Sequence, residues 1–129
     1  MSAFDTEEET LDQEQENVVI EEEKIGEVKI SNEVVATIAG AAALETEGVA
    51  EMIGGGKWGS KGYTKGVRTV MAEDGVSVDL NVVIAYGHSI PKTGIDVQDR
   101  VRAAIENMTG LHVKEVDVHV AGVQLDNQR

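Results

Sequence analysis

Cysteine is absent from this 129-residue chain. That absence removes disulfides, thiolate metal ligands and thiol nucleophiles together, and it fits a reducing compartment. Aromatic residues make up 3% of the chain against 41% hydrophobic residues in total, so a core has to be assembled from Val, Ile, Ala and Leu. The longest nearly apolar run, Val34 to Leu44, falls short of the roughly 20 residues that a membrane-spanning helix needs. The opening stretch "MSAFDTEEET" has neither a basic n-region nor an apolar h-region, so it does not read as a signal peptide. The expectation is a soluble, intracellular, single-domain protein.

Positive charge is also scarce: the formal net charge is −13. Ten of the 24 acids and only one of the 11 bases lie in residues 1–24. Self-repulsion and little apolar content predict a disordered acidic tail over 1–24. A domain over 25–125 and a polar end over 126–129 follow. The rival use of the tail is an arm that folds back on a basic loop or binds a basic partner.

What is present is a sequence of short periodic segments. "IGEVKIS" reads as a strand, and Ser31 or Asn32 can cap the helix after it, with Glu33 in the first turn. In that helix Val34, Val35, Ile38, Ala41, Ala42 and Leu44 fall near one face, and Gly48 is a plausible stop. Gly40 costs about 1 kcal/mol against Ala, which points to close packing of a thin helix. "EDG" marks a tight turn between two strands. Val76, Val78, Leu80, Val82 and Ile84 alternate with other residues along the second of these. Pro91 suits a first helical turn, with Thr93 and Asp96 as another start. Val97, Val101, Ala104, Ile105 and Met108 make that helix's apolar stripe, and Gly110 closes it. In the last strand Val116, Val118 and Val120 face one way, and Glu115, Asp117 and His119 the other. The pattern predicts an α+β domain, β-α-β-β-α-β, with two amphipathic helices on one face of a small sheet.

Three stretches in this order, "GEVKISNEVVATIAGAAALETEGVAEM", "KGVRTVMAEDGVSVDLNVVIAYGHSIP" and "VQDRVRAAIENMTGLHVKEVDVHVAGV", cover about residues 25–123. They resemble the alkaline shock proteins, the Gls-type envelope stress response family of Gram-positive bacteria. The resemblance implies a small non-enzymatic protein without cofactors. It would lie at the cytoplasmic face of the membrane, held by a membrane-anchor protein, and would self-associate. The family offers no catalytic residues to carry over.

Between the first helix and the hairpin lies "MIGGGKWGSKGYTKG", Met52 to Gly66. Gly54, Gly56 and Gly59 satisfy G-x-G-x-x-G, but the chain order reads helix before and strand after, which is the wrong setting for a dinucleotide fingerprint. "GSKG", with Lys57, Lys61, Lys65 and Arg68 and the stacking faces of Trp58 and Tyr63, supports an alternative: a KH-like nucleic-acid-binding module using loop 54–68. The net-negative body disfavours that reading, since long-range attraction to phosphate is weak. At about 1 kcal/mol per cation, four bases give an anionic lipid surface about 4 kcal/mol at best, too little to hold the chain alone. Lys57, Trp58, Lys61, Tyr63, Lys65 and Arg68 are the candidate partner- or anion-binding loop. His88, His112 and His119 do not form a metal-ligand spacing, and Asp117 with His119 supplies two ligands where a closed site needs about four. No serine has an identifiable base. The two long β-branched strands would offer an edge to another chain if left unpaired.

Overall fold

The computed structural model describes residues 17–21, 26–53 and 64–125. The elements are β1 (Asn17–Glu21), β2 (Glu27–Ser31), α1 (Asn32–Leu44), β3 (Val49–Met52), β4 (Val67–Ala72), β5 (Gly75–Ala85), α2 (Ile90–Thr109) and β6 (Val113–Gln124). The architecture is α+β, and its core order from β2 onwards follows the expected alternation with one strand added, β3.

β5 organises the molecule. Its even-numbered side chains, Val76 to Ile84, are all buried, and they form the floor of a core roofed by both helices. α1 contributes Val35, Ala36, Ala39, Ala42 and Ala43, and α2 contributes Val97, Val101 and Ile105. Two helices on one sheet face therefore bury both apolar stripes, as the periodicity requires. Among the described residues this core holds no aromatic side chain.

β3 and β4 both run antiparallel to β5, against Val82–Ile84 and Gly75–Leu80 respectively. They lie end to end along one edge of β5. β6 runs parallel to β5 along the other edge, reached through α2 in a β-α-β crossover. The sheet is therefore mixed, with β5 at its centre. Glu73 and Asp74 form the two-residue turn, closed by Ala72 opposite Gly75.

Three local expectations change. Residues 17–21, at the end of the stretch read as a disordered tail, form β1 and pair antiparallel with β2. β2 accordingly belongs to a separate two-stranded ribbon and not to the main sheet; it rests on the core through half-buried Ile30. In α1 the buried side is the small one, Ala36, Ala39, Gly40 and Ala43 beside Val35, whereas Val34 is exposed and Ile38, Ala41 and Leu44 are half-buried. Small residues let α1 approach α2 and the sheet closely, so the larger side chains are displaced to the flanks.

The helix ends explain themselves. Ser31 occupies the N-cap of α1 without a side-chain bond; Asn32 instead accepts from the Thr69 hydroxyl of β4 at 2.8 Å. Ser89 caps α2, accepting from the Lys92 N–H at 3.2 Å, with Pro91 in the first turn. Thr93 is buried against the core and does not start the helix. Gly110 ends it at φ 78°. Met108, placed by its spacing in the apolar stripe, is 71% exposed; the buried line of α2 runs through Thr93, Val97, Val101, Ile105 and Thr109, and Met108 falls to its side.

Candidate functional site

The glycine-rich segment departs from the middle of a strand line. The Ile53 N–H donates to the Asn81 carbonyl at 3.1 Å, and the Asn81 N–H donates to the Gly66 carbonyl at 3.0 Å. A single residue of β5 thus holds both feet. Gly66 has φ +78°, and a Cβ there would stand 2.6 Å from the Ile53 carbonyl oxygen, so glycine is the residue that lets the chain re-enter the sheet. The preceding element is a strand, β3, and not the helix that the sequence suggested. Among the described residues the next element is again a strand, β4, where a dinucleotide fingerprint places a helix. Among the described elements these flanking strands, β3 and β4, differ from the two helices that border a KH clamp.

Of the candidate loop residues, Lys57, Trp58, Lys61 and Tyr63 lie outside the described residues. Lys65 is exposed at the foot of the loop and Arg68 is exposed on β4. Arg68 faces Asp79 across the β4–β5 ladder on the sheet face away from the helices. Asp79 in turn lies beside Asp117 of β6. That open face carries Glu51, Asp79, Glu115 and Asp117 against Arg68, so it is predominantly acidic. The register therefore sets Arg68 in an acidic row.

The histidines are scattered. His88 is in the turn after β5, His119 is exposed on the open face of β6, and His112 lies 3.7 Å from Glu106. Among the described residues no group of three or more His, Asp and Glu side chains could hold a metal ion. Ser89 is engaged as a helix cap. The exposed ion pairs, Lys92–Asp96 at 3.2 Å and Lys114–Asp74 at 3.3 Å, are of the kind that contributes little.

The other edge of β5 leads to the less obvious feature. Asn81 spends its main-chain groups on Ile53 and Gly66, so the alternate residues Val78, Leu80 and Val82 direct theirs to β6. These residues partner Val116, Val118 and Val120. In a parallel ladder each bonds to the residues flanking its partner, which engages Glu115, Asp117 and His119 and turns the main-chain groups of Val116, Val118 and Val120 outward. The Gln98 amide of α2 donates to the Val116 carbonyl at 3.0 Å, consistent with that direction. Among the described residues β6 pairs with β5 alone. Val118 and Val120 are only half-buried, and Val123 and Leu125 beyond them are exposed, so helix cover thins along the strand. Alternation in the sequence signalled the strand; the direction of its main-chain groups needed the register.

With this geometry in place, the chain can be set beside known proteins. A family model described as having a cell envelope-related function matches residues 20–125. The chain belongs to the alkaline shock protein family. Among relatives of the family, the uncharacterized protein YqhY of Bacillus subtilis is 39% identical over 114 residues, covering 84% of each chain. The uncharacterized protein YloU of the same organism is 28% identical over 112 residues, covering 81% of this chain and 93% of its own. Among solved structures, a MamM-CTD variant aligns with a TM-score of 0.47 at 15% identity, over 70% of this chain and 98% of that one. The family's match starts at the end of β1 and ends at Leu125, so it takes in β2, both helices and the whole main sheet. No described helix is long and apolar enough to cross a membrane.

Proposed function

We propose that this alkaline shock family member is a non-catalytic interaction protein in cell-envelope stress homeostasis. It acts at the cytoplasmic face of the membrane through a membrane-anchor partner and through self-association. The observation that carries the proposal is the outward-facing edge of β6, a row of main-chain donors and acceptors beside half-covered valines. Such an edge is a template for another chain. The family's envelope-related description supplies the setting. The exposed positions of Asp79, Glu115, Asp117 and His119 suit a solvated face better than an acid–base pair, which would need a convergent pocket.

In this proposal the basic loop, Lys57, Trp58, Lys61, Tyr63, Lys65 and Arg68, is an auxiliary contact that reinforces the anchor. Fractionation of cells expressing the full chain tests the proposal. The protein is expected in the membrane pellet when the cell's own envelope proteins are present. It is expected to stay in the supernatant when mixed with protein-free anionic vesicles at physiological salt. Retention by the vesicles alone would replace the anchor with direct lipid binding, and absence from the pellet would overturn the proposal.

A further inference from the structure

We infer that the β6 edge takes a second copy of the same edge, in an antiparallel two-fold pairing centred on Val118. The inference rests on the self-association part of the proposed function and specifies its surface. In this register Val118 meets its own copy and Val116 meets Val120. Asp117 meets His119 twice, once on each side of the axis.

Hydrogen-bonding parity favours the register. Val116, Val118 and Val120 point their main-chain groups outward, so Val118 with its copy, and Val116 with Val120, become hydrogen-bonded pairs. The Val116 carbonyl already accepts from Gln98 at 3.0 Å, and its second lone pair remains for the incoming N–H. Asp117 and His119 turn their main-chain groups toward β5, so they become the non-hydrogen-bonded pair, in which side chains stand closest.

Charge selects it against its neighbours. Moving the axis to Asp117 sets that carboxylate against its own copy, and moving it to Val116 sets Glu115 against Asp117. Like charges so placed are destabilising. Moving the axis toward the C-terminus runs into the bulge, where Val82 and Val83 partner Val120 and Gly122 and Ala121 is skipped. Within one copy, Asp117 lies beside Asp79, an unfavourable acid–acid neighbour, while Arg68 stands on the far side of Asp79. The second copy's His119 completes the row Arg68, Asp79, Asp117, His119 with a donor at its open end. On the helix side, the same pairing covers the half-buried Val118 and Val120 and brings together the two α2 flanks that carry Gln98 and the 55% exposed Ile95. The interface is isologous and closed, with one edge from each copy consumed.

The absence of cysteine allows a direct test. Full-length Asp117→Cys and His119→Cys chains, mixed and oxidised, are expected to give a disulfide-linked dimer that neither chain gives alone. Equal crosslinking by either variant alone would overturn the register. Asp117→Lys is expected to raise the dimer dissociation constant about tenfold, since both pairings of the Asp117 carboxylate with His119 are lost; Asp117→Lys with His119→Asp is expected to restore it. Failure of that rescue would overturn the pairing. Val118→Pro removes an outward N–H that no described strand pairs with and is expected to abolish the dimer in sedimentation while preserving the circular dichroism spectrum. An oligomer that survives both Val118→Pro and Asp117→Lys overturns this surface and leaves self-association standing. A wild-type chain that sediments as a monomer at all concentrations overturns self-association itself, while the envelope contact is judged separately by fractionation.

Discussion

Gly66 and Gly94 show how differently the same residue type is used. A side chain at Gly66 would collide with the Ile53 carbonyl and force a left-handed backbone onto an L residue. Gly66→Ala should therefore cost about 2 kcal/mol, read as a fall in Tm of about 10 °C in a thermal melt. Gly94 sits inside α2 with nothing within 4 Å of a built Cβ, so Gly94→Ala should stabilise by about 1 kcal/mol in the same measurement. The sequence marks both as glycine and cannot tell them apart, because the distinction lies in a tertiary neighbour, Ile53, 13 positions away. Met108 was misplaced for a similar reason. Its spacing from Ala104 and Ile105 is helical, but the buried line runs in steps of four to Thr109 and leaves Met108 beside it.

The elements were legible where a single environment spans many residues. β5 alternates from Val76 to Val82 because one face meets the helices and the other is open, whereas beyond it Val83 is buried as well as Ile84; the two-residue turn at Glu73–Asp74 was readable from "EDG". β3 was not legible. It has four residues, carries a register shift between Val49 and Glu51, and so shows no clean period. β1 lies in acidic sequence and owes its form to its pairing with β2. α1 shows the limit of hydropathy: apart from Val35 its buried side consists of alanines and Gly40, which carry little signal. Ala39 is fully buried in that face, so Ala39→Leu should lose about 1–3 kcal/mol through overpacking, seen as a lower urea midpoint with an unchanged slope.

At the scale of the molecule, the family and the α+β class were within reach of the sequence, and the use of the two sheet edges was not. One edge is split between β3 and β4 to send out the basic segment; the other is left facing outward. The candidate loop was recognisable from composition, yet its feet on Asn81 and the turning of Arg68 toward Asp79 depend on pairing. No described core residue precedes Ile30, so removing residues 1–24, which takes away β1, should change stability by no more than about 1 kcal/mol. A larger loss in a denaturant titration would make the ribbon part of the domain's cooperative unit. The central claim is that this protein works by holding partners at the envelope. Affinity capture of the tagged full chain from crosslinked cells, after nuclease treatment, tests it most directly. The account predicts a membrane protein and further copies of the chain recovered in yields that nuclease leaves unchanged; recovery of nucleic acid whose removal releases every partner would contradict it.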